Sequence, residues 1–270
     1  MLQIKTATFG LTFIGIVVIG ALFAPLLARH DPNALGAGSA SLPSWSHPLG
    51  QDVLGRDQLS RLLYGARMSL AVSLLATGFG ATCGSIIGLL AAYFRGWVDR
   101  VLMRTMDALL ALPGLVLPLA LLASLGAGLG TVSLALGIAF TPVSARLMRG
   151  QALSVLSREY ITAAIATGAR GPRIVFRHVA PNCMAPIIVQ ASLAMGVAVI
   201  AEASLSFLGV GITPPTPTWG TMLADAFDSI RTQPWLVFAP GAAIFLLVLS
   251  FNFVGDALRD VLDPRLRGGV

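Results

Sequence analysis

A chain of 270 residues that is 56% hydrophobic and 11% charged, with a mean hydropathy of +0.82, lacks the surface of a soluble domain, in which about a quarter of the residues are charged. It reads as a polytopic membrane protein. Its net charge of +6 and pI of about 10.3 come from arginines placed in loops between apolar runs. They are therefore the loop charges of a membrane protein and argue against nucleic-acid binding. Cys83 and Cys183 show no metal-ligand spacing and no disulfide framework, so both read as inert packing residues.

Six apolar segments follow one another. The first, Phe9–Ala28, is long enough to span a bilayer. Its length exceeds that of a signal-peptide core, and Arg29-His30-Asp31 stands where a cleavage region would lie, so it reads as a retained anchor. Leu70–Phe94 is the second and carries Gly78, Gly80, Gly84 and Gly88. Small residues four apart let membrane helices approach closely, within one chain or across a subunit interface. Ala108–Leu125 and Leu129–Leu147 are the third and fourth, joined by Gly126-Ala127-Gly128. Ala185–Val210 is the fifth, with Gly196, and Trp235–Val254 the sixth. The stretch His47–Asp57, before the second span, reads as an ordered loop without catalytic geometry. His47 beside Pro48 reads as a turn residue with no paired ligand nearby.

Between the fourth and fifth spans lies TAAIATGARGPRIVFRHVAPN, Thr162 to Asn182. It predicts a helix over Tyr160–Ala169, a break at Gly171-Pro172, a second helix over Arg173–Ala180 and a stop at Pro181. Ile174, Val175 and Val179 share one side of the second helix, and Arg173 and Arg177 another. The piece is too short to span and too basic to bury, so it belongs at the membrane surface. Its partner there is either anionic lipid or a groove on another protein.

Counting Lys and Arg by side gives the orientation. With the N-terminus inside, the inner segments hold Lys5, Arg95, Arg100, Arg104, Arg146, Arg149, Arg158, Arg170, Arg173, Arg177, Arg259, Arg265 and Arg267, thirteen of the 18. Outside are Arg29, Arg56, Arg61, Arg67 and Arg231. Both termini and the insert are then cytoplasmic. Glu202 is the one clear charge within a span. It serves either as a structural tie between spans or as a substrate contact, and Arg67, at the outer start of the second span, is its candidate partner.

The insert resembles the EAA loop of ABC-importer permeases, E-A-A-x-x-x-G followed by I-x-x-x-x-x-x-P. The matching residues are Thr162-Ala163-Ala164, Gly168, Ile174 and Pro181-Asn182, with Thr162 standing where the motif has glutamate. Three further stretches resemble the peptide/nickel group of these permeases, especially its C-type subunit. They are HPLGQDVLGRDQLSRLLYGARMSL (His47–Leu70), EASLSFLGVGITPPTPTWG (Glu202–Gly220) and SFNFVGDALRDVLDPRLRG (Ser250–Gly268).

The resemblance implies an all-α polytopic membrane protein of six transmembrane helices. Residues 1–68 would form an N-terminal helix with its external loop. Residues 69–270 would form the five-helix permease core, with a cytoplasmic coupling loop at about 149–183. It implies a transport subunit that is not an enzyme and belongs in the inner (plasma) membrane of a prokaryote. Its partners would be a homologous permease, two ATP-binding subunits, an external substrate-binding protein and membrane lipids. No cofactor is expected on this chain; ATP and Mg are expected on the partners, since the chain has no P-loop.

Thr162, Ala163, Ala164, Gly168, Arg173, Ile174, Arg177, Pro181 and Asn182 are the expected ATPase-coupling residues. Peptide is the expected substrate, with nickel or another metal chelate as the alternative and a self-contained channel or secondary transporter as a third reading. An intramembrane enzyme is disfavoured, because His30, His47 and His178 all lie in loops.

Overall fold

The computed structural model describes residues 2–36 and 40–262. The expected tail charges Arg265 and Arg267 lie outside the described residues. The elements in order are α1 (Leu2–Leu22), α2 (Ala24–Leu27), α3 (Gln58–Phe94), α4 (Gly96–Leu110), α5 (Val116–Leu125), α6 (Leu129–Leu156), α7 (Glu159–Ala166), α8 (Gly171–Arg173), a π-helical turn Ile174–Val179, α9 (Ala180–Phe207), α10 (Trp219–Phe227) and α11 (Trp235–Leu262). Five helices are long and apolar enough to cross a bilayer: α1, α3, α6, the continuous run Gly171–Phe207, and α11. α5 is a sixth apolar helix of ten residues.

The span expected over Ala108–Leu125 is thus broken. Pro113 cannot donate a backbone hydrogen bond and Gly114 follows it, so the chain turns between Ala111 and Leu115. Before the turn runs amphipathic α4. After it, α5 rises only about 15 Å, half a bilayer core.

α3 and α6 share the most extensive interface in the fold, and glycines set its depth. Gly80, Gly84 and Gly88 lie four residues apart on the face that meets α6. A Cβ on Gly84 would sit 2.6 Å from the Ser144 Cβ and 2.8 Å from the Ala145 nitrogen. Gly137 of α6 returns the arrangement against Phe79. Gly78 points into open space, and Gly196 makes only ordinary contact with α11.

Three buried clusters follow from these packings. One joins Val72 and Ala76 of α3, Leu122 of α5, Val132 and Leu136 of α6, and Leu205 of α9. A second joins Ala92, Met148, Val155, Ile161, Ile174, Val179 and Cys183 beneath the insert. A third seats Trp219 and Met222 of α10 among α1, α3, α9 and α11. α1 packs on α11 and α3 and turns Leu11, Ile16 and Ile19 outward. Such exposed apolar rows suit lipid or a neighbouring subunit rather than water.

The glycine seam generates a contrast. Gly84→Leu should destabilise the protein by about 1–3 kcal/mol or prevent its assembly, because the extra atoms meet backbone on α6. Gly78→Leu should leave it within about 0.5 kcal/mol of the parent. Thermal midpoints of the two purified variants in detergent check this.

Candidate functional site

At one end of the molecule the insert has two faces. Ile161, Ile174 and Val179 are buried against α3, α6 and α9. Val175, expected beside them, is half-buried. Gly171 lies so close to the Tyr93 hydroxyl of α3 that a Cβ there would collide with it. On the outer face, Phe176 is 76% exposed, Ile165 is 56% exposed, and Tyr160 lies open beside them. Thr162, Ala163, Gly168, Arg170, Arg173 and Arg177 are exposed as well, whereas Ala164 is half-buried. The exposed surface of the insert therefore carries both apolar and basic side chains, together with the small residues Ala163 and Gly168.

α7 stops two residues before Gly168, and the stop explains that glycine. The Gly168 N–H donates to the Ile165 carbonyl at 2.9 Å, and the Ala169 N–H to the Ala164 carbonyl at 3.0 Å. This is the paired closure of a helix C-terminus, and it requires a left-handed residue between the two bonds. Gly168 supplies it with φ of +85°. Apart from its chain neighbours, no atom of the described residues lies within 4 Å of where a Cβ would sit, so the demand is on the backbone and not on space.

The second insert helix differs from expectation. Pro181 does not stop it. The chain passes from α8 through the π turn into α9 without a break, and the Ala180 N–H reaches back five residues to the Val175 carbonyl. The wide turn precedes a proline that has no N–H of its own. The Asn182 side-chain amide donates to the His178 carbonyl at 2.7 Å and helps satisfy the disturbed ladder. Nearby, Arg149 of α6 grips Asp99 of α4 with two bonds at 2.5 and 2.6 Å, and Arg146 grips Asp107. Donation by Arg149 outweighs a small desolvation and holds the Asp99 carboxyl below its ordinary range. These pairs, with Arg100 and Arg104, line a cavity of about 500 Å³.

Glu202 lies on α9, fully buried. It does not pair with Arg67, which is exposed; among the described residues no ion pair joins the two. The carboxylate instead accepts from the Ser69 hydroxyl at 2.9 Å and the Ser206 hydroxyl at 2.8 Å. Residues 67 and 69 differ by about 200° around a helix, so a partner two positions along α3 faces α9 when Arg67 cannot. Ser206 in turn accepts from the Ile212 N–H at 3.1 Å. Glu202 thereby ties α3, α9 and the loop after α9 together. Gly220 presses α10 against the Ala203 backbone in the same region.

At the end away from the insert, two polar constellations form that the sequence pattern did not suggest. Arg56 bridges Asp52 and Asp225, both at 2.6 Å, and Arg61 joins Asp225 at 2.9 Å. This fixes the segment before α3 to α10 across 169 residues of chain. The second leaves His47 in a turn, as expected, but gives it neighbours that the sequence spacing did not show. His30, His47 and Asp57 offer three ligand atoms within 4.8 Å of one another, a set that could hold a metal ion. Burial raises the Asp57 carboxyl; donation from Ser60 and His47, with the charge of His30, overrides this and holds it below its ordinary value. In the sequence the three residues are spread over 27 positions, and no short spacing joins them.

Comparison with known proteins gives a consistent result. Residues 84–268 match the family described as binding-protein-dependent transport system inner membrane component. Residues 2–43 match the N-terminal transmembrane domain of oligopeptide transport permease C. The chain is 44% identical over 270 residues to the di/tripeptide transport system permease protein DppC of Pseudomonas aeruginosa, covering 97% of this chain and 89% of that protein. It is 41% identical over 268 residues to the dipeptide transport system permease protein DppC of Alkalihalophilus pseudofirmus, covering 97% and 87%. It is 45% identical over 225 residues to the glutathione transport system permease protein GsiD of Pectobacterium atrosepticum, covering 83% and 75%. A solved structure of the MetNI methionine ABC transporter in an inward-facing conformation matches the fold with a TM-score of 0.63 at 18% identity. That match covers 75% of this chain and 96% of the other.

The Glu202 geometry sets a test. Glu202→Ala leaves two buried serine hydroxyls without their acceptor and should destabilise by about 1–3 kcal/mol, with less effect on substrate choice. In double-mutant cycles read by thermal unfolding, Glu202 should couple to Ser69 by at least about 0.5 kcal/mol and to Arg67 by nothing measurable.

Proposed function

This chain belongs to the family of binding-protein-dependent transport system inner membrane components, and from that membership we propose that it forms part of a peptide pathway driven through its insert. It is the multi-pass, inner-membrane permease subunit of an ABC importer and not an enzyme. Its cargo in this proposal is a short peptide, the cargo of the dipeptide and di/tripeptide permeases to which it is 41% and 44% identical. A homologous permease completes the pathway, two ATP-binding subunits carry ATP and Mg, and an external binding protein delivers the peptide.

The observation that carries the coupling role is the two-faced insert. Its inner face is locked into the bundle by Ile161, Ile174 and Val179. Its exposed residues include Ile165 and Phe176 together with Arg170, Arg173 and Arg177. A groove that is apolar at its floor and acidic at its rim is the complementary partner surface. ATP-driven closure of the partners would push on this face and bias a two-state packing of the spans. Thr162, Ala163, Ala164, Gly168, Arg173 and Arg177 shape the contact in this proposal. Ile174, Pro181 and Asn182 link it to the fifth span. Residues 1–68 act as an appended unit and 69–270 as the core.

The orientation that goes with this has both termini and the insert cytoplasmic. In a cysteine-free background, a membrane-impermeant thiol reagent added from outside should label Leu54→Cys, whose parent residue is exposed, and should not label Arg170→Cys. The reverse pattern overturns the orientation.

The full proposal is tested in the reconstituted complex with its cognate binding protein, following uptake of labelled dipeptide and ATP hydrolysis. The parent should import the dipeptide. Gly168→Val puts a branched residue into a left-handed conformation, at about 1–2 kcal/mol, and should lower ATPase retention or coupled uptake about 5- to 30-fold. Gly168→Asn should be milder, because asparagine tolerates that conformation; Thr162→Lys should also be milder than Gly168→Val. Uptake of nickel without peptide moves the cargo to a metal chelate, and unchanged coupling in Gly168→Val removes the insert from the transmission path.

A further inference from the structure

We propose that His30, His47 and Asp57 form a binding site for a borderline divalent transition ion of the zinc class, which fastens the exit of the first span to the start of the second. The donor set is two imidazoles and one carboxylate. Such a set favours zinc and its neighbours over calcium or magnesium, which take oxygen ligands.

The spacing fits. The Asp57 Oδ1 lies 2.9 Å from the His47 Nδ1 and 4.0 Å from the His30 Nδ1. A tetrahedral ion with bonds of about 2.0–2.1 Å needs donors about 3.3 Å apart, a value between those two distances. The imidazole rings lie against each other, centroids 4.5 Å apart and planes 31° apart, with both Nδ1 atoms near one carboxylate oxygen. A single hydrogen bond from His47 accounts for one ring; an ion accounts for both.

The carboxylate is held in place for this role. Asp57 caps α3, and its other oxygen, Oδ2, accepts from the Ser60 N–H at 2.8 Å. That bond turns Oδ1 toward the histidines, as an outer hydrogen bond orients a metal ligand. The His47 backbone is fixed too: its carbonyl accepts from the Ser44 and Gly50 N–H groups at 2.9 and 2.8 Å. The Asp57 side chain is 3% exposed, His47 20% and His30 40%, so an ion would rest on a buried carboxylate with its remaining position open to solvent. The cation beside the cluster is directed elsewhere: the Arg29 guanidinium donates to the Trp45 carbonyl at 3.2 Å.

The three ligands come from three segments. His30 follows α2, His47 lies in the loop and Asp57 caps α3. An ion there would cross-link the N-terminal helix to the rest of the bundle at a place where no disulfide is available, since the two cysteines are Cys83 and Cys183.

The test uses the full chain in nanodiscs, with any affinity tag removed, stripped with a chelator and titrated with zinc chloride. One equivalent of zinc should bind per chain, unaffected by millimolar calcium or magnesium, and should raise the thermal midpoint. His30→Ala, His47→Ala and Asp57→Asn should each weaken zinc binding at least about 100-fold, beyond the loss seen for outer-shell changes, and abolish the thermal shift. Asparagine caps helices as well as aspartate does, so Asp57→Asn removes the charge without removing the cap. Copper(II) bound in place of zinc should give a paramagnetic resonance spectrum of two-nitrogen ligation that falls to one nitrogen in His30→Ala. Absence of stoichiometric zinc, equal competition by calcium, or unchanged affinity in all three variants overturns the site.

Discussion

The seam between α3 and α6 is the contact on which the other packings rest. Helices in lipid gain nothing from hiding apolar surface from one another, because the acyl chains are equally apolar. Association must come from close atomic contact. Gly80, Gly84 and Gly88 remove the side chains that would hold the two backbones apart, and Thr141, Ser144 and Ala145 keep the opposing surface small. α5 and α9 then pack on the pair to close one cluster, and the insert folds beneath its other end to close a second. Both the buried Glu202 carboxylate and the basic surface are positioned by helices that this seam fixes.

Polar groups are distributed according to what surrounds them. At the two ends of the bundle they form ion pairs: Arg149 with Asp99 at one end, Arg56 and Arg61 with Asp52 and Asp225 at the other. Within the bundle the carboxylate of Glu202 has hydroxyls for partners instead. Short serine side chains let α3 and α9 stay close at that level, whereas an arginine would need room for its stem. The loop before α3 is unusually ordered for a connection, with Asp52, Arg56 and Asp57 all buried. That order explains why the sequence from His47 to Leu70 has the texture of a motif and not of a linker.

Much of the fold was legible because membrane helices announce themselves by length and composition, and five long helices stand where apolar runs predicted spans. The inner face of the insert was legible from the spacing of Ile174 and Val179. The break in the third span was written in Pro113-Gly114, but apolar residues on both sides masked it. Pro181 misled because a proline ends an ordinary helix, and nothing local signals that a wider turn will precede it. Ser69 was passed over for Arg67 because charge suggests a partner for a carboxylate more readily than a hydroxyl does. The meeting of His30 with Asp57, and of Arg56 with Asp225, depends on how distant segments dock, which no local pattern encodes.

The uninterrupted passage from the insert into the fifth span has a mechanical consequence. Gly171–Phe207 is a continuous 37-residue helical run, about 55 Å long as a straight helix, with the π turn, Pro181 and Pro186 inside it, Phe176 exposed near one end and Glu202 buried near the other. Moving as one body about its base, the run would convert a tilt of about 10° at the insert into a sweep of about 10 Å at its far end; bending at the π turn and the prolines would reduce that sweep. The serine ties of Glu202 resist that sweep.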